Sequence, residues 1–186
     1  MSTKVVTGKV RFSYANLFQP HAVDPKDTPK YSVTLLIPKS DTVTLGKIKA
    51  AIVEAREAFV KKHGENSMPP KPTTTLHDGD ALKEDGSHFG PECKGCYVIS
   101  VSSQNKPVVV DAWKNVITEP TEVYSGCYGR ASINFYGYSY KGKKGISAGL
   151  LSIQKLSDGD SLGGAMGSAD DFDDDYMDDD DDSPFA

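Results

Sequence analysis

Lysine and arginine vanish from this chain after Lys155, while twelve Asp crowd into residues 157–186. Of 26 acidic residues, removing those twelve leaves 14 against 21 Lys and Arg, so residues 1–156 carry +7 and the overall pI of 5.3 hides a basic body. Cysteine is scarce as well. Three Cys, including Cys93 and Cys96, do not make a disulfide framework in a chain of 186 residues, and they fit a reducing compartment. No apolar run is long enough to span a membrane, and Met1-Ser2-Thr3-Lys4-Val5-Val6 leads into alternating sequence with no apolar signal region, which predicts a cytoplasmic location. Walker lysine loops, Gly-x-Ser-x-Gly elbows and His-Glu-x-x-His helices are also missing, which argues against an enzyme.

What is present reads as one domain, residues 1–156, followed by a linker and tail, residues 157–186. Over residues 4–14, Val6, Val10 and Phe12 share one face and Thr7, Lys9, Arg11 and Ser13 the other, predicting a half-buried strand with a basic outer side. Residues 16–29, with three Pro, read as a loop. Tyr31, Val33, Leu35 and Ile37 line one face of a second strand that Pro38 stops. Ser40 or Asp41 caps one helix, in which Leu45, Ile48, Ile52, Ala55 and Phe59 recur at three- and four-residue steps before Lys61, Lys62 and Gly64 close it. Residues 65–95 predict a long excursion without regular structure that lines a site edge. Residues 97–101 and 108–113 have the spacing of a hairpin, and strands at 126–138 and 146–155 join across Lys141-Gly142-Lys143-Lys144-Gly145. Six or so strands, one helix and long loops predict a mainly β, small antiparallel barrel. Gly159, Gly163, Gly164 and Gly167 predict a flexible linker, and the Asp run a disordered tail.

The informative stretch is 126–138. Cys127, Gly129, Ala131, Ile133 and Phe135 alternate with Tyr128, Arg130, Ser132, Asn134 and Tyr136, and Tyr138 and Tyr140 continue the polar register. Tyrosines around an Arg offer flat surfaces for bases and a guanidinium for phosphates, as sequence-tolerant binding of single strands requires. Tyr and β-branched residues are also simply good strand formers. Lys9 and Arg11 on the first strand and Lys141, Lys143 and Lys144 among glycines add positive charge, although those lysines also suit a soluble turn. Trp113 is core or platform; alternation sets it with Val109 and Asp111, opposite Val108, Val110 and Ala112, and favours platform. Tyr14 and Phe18 stay open between the two roles. Asp78 and Asp80 read as a turn before they read as a metal-dependent nuclease site. His88, Cys93, Cys96 and Cys127 make a poor zinc pattern, so no metal and no cofactor are expected. In the tail, Phe172, Tyr176 and Phe185 lie among carboxylates that include Asp180, Asp181 and Asp182, an aromatic anchor for a basic, apolar-floored pocket on a partner. The same run can mimic a nucleic acid and occupy the basic groove, or merely solubilise the chain.

Residues 8–14, 30–39 and 126–137, together with an Asp-rich tail ending in Pro184-Phe185, resemble the bacteriophage single-stranded DNA-binding proteins that combine one OB-fold with an acidic, aromatic-ended tail. Here Ala186 follows Phe185. The resemblance implies an OB-fold that coats single strands without sequence preference in phage replication and recombination, inside the bacterial host. It also implies a tail that modulates binding and recruits phage or host replication proteins. Expected DNA contacts are Lys9, Arg11, Tyr14, Trp113, Tyr128, Arg130, Asn134, Tyr136, Tyr138, Lys143 and Lys144, on a monomer or homodimer with no membrane association. The alternative is an acidic-tailed adaptor without nucleic-acid activity.

Overall fold

The computed structural model describes residues 2–22, 24–83, 85–140 and 142–162; Lys141 and the tail residues Phe172, Tyr176, Asp180, Asp181, Asp182 and Phe185 lie outside them. In chain order the elements are β1 (Lys4–Val6), β2 (Val10–His21), β3 (Lys30–Pro38), α1 (Thr42–His63), β4 (Thr73–Thr74), β5 (Leu76–Asp78), β6 (Cys96–Ser103), β7 (Val108–Val110), β8 (Tyr128–Tyr140) and β9 (Lys143–Ser157). The long strands close a ring. β8 pairs with β2, β2 with β3, β3 with β6, β6 with β9, and β9 returns to β8; only the β6–β9 pair in this ring is parallel. This is the expected mainly β barrel, with one α-helix among the described residues. Its interior is filled by alternate residues such as Phe12, Leu35, Ile37, Ile99, Ile133 and Ile153, and closure leaves these strands no long bare edge.

Helix α1 packs chiefly on β8. The Asp41 carboxylate caps it, accepting from the Thr44 amide at 3.1 Å and the Thr44 hydroxyl at 2.6 Å. Leu45, Ile48, Ala51 and Ala55 form its buried stripe, with Phe59 against Gly137 of β8.

Several local expectations are corrected by non-local partners. The first strand is two strands, because the Gly8 amide donates to Thr44 Oγ1 at 2.9 Å instead of continuing the ladder. The break turns Val5 and Thr7 inward and Val6 outward, reversing the expected faces there, and Ser13 is buried as well. Thr7 Oγ1 accepts from the Ala131 amide at 3.0 Å and donates to the Gly8 carbonyl at 2.8 Å. Replacing Thr7 with Val keeps the shape but leaves that buried amide without an acceptor. A loss of about 1–3 kcal/mol is expected, read as a lower urea midpoint.

Residues 16–21, expected in a loop, prolong β2 through register shifts against β3. The 65–95 excursion contributes β5 to the edge of β6 and β4 to β9. Residues 97–113 form no hairpin: β7 runs parallel to β9, pairing Val108 with Ser152, so a distant strand displaces the neighbour as partner. Lys143 and Lys144, expected in the loop between these strands, belong to β9, opposite Tyr140 and Ser139.

Candidate nucleic-acid interface

Strand β8 shows the alternation its sequence implies. Gly129, Ala131, Ile133 and Phe135 are buried, while Arg130 and Tyr136 are exposed and Tyr128, Ser132, Asn134 and Tyr138 are half-buried. Over its 13 residues, however, the strand distributes the outer side chains among separate neighbourhoods.

At its start, β2 brings two cations onto one ring. Lys9 Nζ lies 5.2 Å and Arg11 Cζ 5.5 Å from the centre of the Tyr128 ring. These three residues line a groove of about 450 Å³ with Leu36, Pro38 and Cys96, and Glu92 sets one acid at its rim. Arg11 also holds the root of the tail: it donates to the carbonyls of Gly126 at 3.1 Å and Asp160 at 2.7 Å. Gly126 has φ of +119°, and the Asp160 carbonyl occupies the place a side chain would need, so glycine is required there. Tyr124 Oη donates to Asp158 at 3.1 Å, the Leu162 amide donates to the Ser125 carbonyl at 2.8 Å, and Leu162 packs on the cluster of Leu36, Cys93 and Val98. Residues 158–162 therefore pack against the barrel.

Two residues on, Arg130 donates to the Thr7 carbonyl at 2.8 Å and lines a second pocket, about 290 Å³, with Lys4, Lys114 and Ser132, whose buried hydroxyl oxygen has no partner. Beside Lys114 stands Trp113, 81% exposed. Its position has a different cause from the expected alternation. Val109 is the inward residue of β7, the strand stops at Val110, and the Asp111 carboxylate accepts from the Trp113 and Asn115 amides, both at 2.9 Å, in a turn that swings the indole out. Asn134 and Tyr136 lie over Gly149 of β9. Tyr138 lies over Gly145 and faces the excursion, and Lys143 and Lys144 are exposed beyond it. Tyr14, 73% exposed, sits at φ of +48° in the β2 irregularity, away from regular pairing. Phe18 packs against the core.

The two carboxylates weighed as a metal site serve another cation. Lys39 Nζ is 2.7 Å from both Asp78 and Asp80, and these bonds hold the lysine's pKa up and both carboxyls down. Among the described residues no group of three or more His, Cys, Asp and Glu is placed to hold a metal. Burial pushes the thiol pKa values of Cys93, Cys96 and Cys127 up, which disfavours thiolate chemistry. No helix among the described residues is long and apolar enough to cross a membrane.

Lys4, Lys114, Thr75, His77, Lys83 and Phe89 line the pockets around β8 without having been singled out in the sequence. Lys4 reaches β8 by pairing with Asn134, Lys114 sits in the turn after β7, a strand that pairs with distant β9, and the excursion residues carry no periodic signal.

The family model of the Enterobacter phage Enc34 ssDNA-binding protein matches residues 3–183. A putative protein p50 of Acyrthosiphon pisum secondary endosymbiont phage 1 is 36% identical over 178 residues, covering 92% of this chain and 93% of the relative. The single-stranded DNA-binding protein from bacteriophage Enc34, solved in complex with ssDNA, superposes with a TM-score of 0.70 at 32% identity, over 87% of this chain and 90% of that one. Gp2.5, a single-stranded DNA-binding protein encoded by bacteriophage T7, shares the fold at a TM-score of 0.59 and 16% identity, over 92% and 93% of the two chains. Matched along almost its whole length, the chain belongs to the family of the Enterobacter phage Enc34 ssDNA-binding protein.

Proposed function

We propose that this protein binds single-stranded DNA without catalysis and without sequence preference, coating it during phage replication and recombination in the host cytoplasm. The observation that carries the reading is the pair of cations on Tyr128 beside an open groove, in a member of a family whose namesake was solved with ssDNA. An aromatic face for a base and cations for the adjoining phosphates are what sequence-tolerant binding needs. Arg130 with Trp113, then Tyr136 and Tyr138, extend the same chemistry along β8, with Lys143 and Lys144 supplying charge at its end.

In this reading the barrel domain extends to Leu162, and the tail competes with DNA and recruits replication proteins. Its root already meets Arg11 through Asp160. The 24 residues after Leu162 reach up to roughly 80 Å when extended, enough to return to any face of the barrel.

The test is a fluorescence titration of full-length and truncated chains with poly-dT and with duplex. Ending the chain at Leu162 is expected to tighten binding of poly-dT several-fold at low salt and leave thermal stability unchanged. Ending it at Leu156 removes the Leu162 packing and the bonds from Arg11 to Asp160 and from Tyr124 to Asp158, and is expected to cost about 2 kcal/mol, a fall of roughly 4–8 °C. A barrel that ignores poly-dT in both forms would instead support the adaptor reading.

A further inference from the structure

A groove of about 700 Å³ lies where the 65–95 excursion meets the β8–β9 hairpin. It is lined by Thr75, His77, Lys83 and Phe89 of the excursion and by Tyr138 of β8. The His77 and Phe89 rings lie 6.3 Å apart, and Lys83 Nζ is 5.4 Å from the Phe89 ring centre. Thr75 Oγ1 is buried and has no hydrogen-bond partner. A buried hydroxyl in that state is unfavourable unless a ligand or water completes it.

The acids in the wall are already engaged. Asp78 is bound by Lys39 at 2.7 Å, and the Asp85 carboxylate accepts from the Ser87 amide at 2.9 Å and hydroxyl at 2.5 Å. Lys83 Nζ is turned toward the Phe89 ring.

We infer that this groove is a subsite for one unpaired nucleobase of the bound strand. The base lies among the rings of His77, Phe89 and Tyr138, its edge completes the Thr75 hydroxyl, and Lys83 meets the adjoining phosphate. A base in a duplex has its edge paired and its faces stacked, so the groove accepts only single strands. The inference rests on the single-strand-binding reading and adds His77, Lys83 and Phe89, which do not line the Tyr128 groove, to the path of the strand.

The experiment titrates the full chain with a fluorescent dT oligonucleotide and a matching duplex. It compares the wild type with His77→Ala and with Phe89→Leu, the latter chosen because Phe89 also packs on Leu36, Cys93 and Val98. Each variant is expected to bind the single strand roughly tenfold more weakly, the effect of losing one base stack, with duplex binding unchanged. Photocrosslinking of a 5-iodouracil oligonucleotide to the wild type should yield adducts within residues 75–89. Should Phe89→Leu lower the melting temperature, the exposed His77 decides alone. Wild-type affinity in His77→Ala, or adducts confined to other segments, overturns the subsite and leaves the binding function standing. A wild type that does not bind the oligonucleotide overturns both.

Discussion

Raising monovalent salt from about 50 to about 200 mM is expected to weaken poly-dT binding roughly a hundredfold. The estimate follows from counterion release, with a slope of about −0.7 per phosphate contact on single strands and about five contacts engaged. The cations available for them are Lys9 and Arg11 at Tyr128, Arg130 and Lys114 at the second pocket, and the exposed Lys143 and Lys144. Lys39 serves as an internal control. It is committed to Asp78 and Asp80, so Lys39→Ala should leave the slope unchanged, whereas Lys9→Ala should reduce it by about 0.7. A flat response of the wild type to salt would remove the electrostatic part of the proposed function.

Gly129→Ala is expected to destabilise the fold severely. A Cβ there would stand 2.1 Å from the Gln154 carbonyl oxygen and 2.7–2.8 Å from the Phe12 ring. Neither neighbour can move cheaply: the carbonyl belongs to the backbone of β9, and Phe12 is wholly buried at the centre of the barrel. One methyl group therefore forces β8 from β9 or displaces the core. The expected cost is about 4 kcal/mol or more, a large share of the ~5–15 kcal/mol that holds a domain of this kind together. Loss of soluble protein, or a melting midpoint lower by about 10 °C, is the measured outcome. Gly46→Ala supplies the contrast, since it lies in α1 with nothing within 4 Å of the added Cβ and should gain about 0.5–1 kcal/mol. Equal stability of the two variants would contradict the close approach at Gly129.

These two predictions depend on different levels of information. The two-faced pattern of β8 was legible because period-two alternation survives in any half-buried strand, and the buried Cys127, Gly129, Ala131, Ile133 and Phe135 follow it. The capped helix was legible for the same reason, with Asp41 and the Leu45-to-Ala55 stripe found where the spacing put them. Alternation failed where pairing switches partner. At Gly8 a side chain of α1 takes the backbone amide, so Val5 and Val6 exchange faces; at β7 a parallel partner from the far end of the chain replaces the expected hairpin.

Taken alone, the sequence determined the basic body, the acidic end, the strand with one aromatic and one apolar face, and the resemblance to phage single-stranded DNA-binding proteins. Composition and periodicity are local quantities, and they need no partner to be read. Which of these side chains meet was decided only by tertiary structure. Barrel closure sets Lys9 and Arg11 on Tyr128, the Asp111 turn swings Trp113 out, and residues 158–162 bring the tail root to Arg11. The excursion with His77 and Phe89 becomes one wall of a groove only because β5 pairs with β6 and β4 with β9. Such contacts join residues far apart in the chain, and the geometry that selects them is the closed sheet itself.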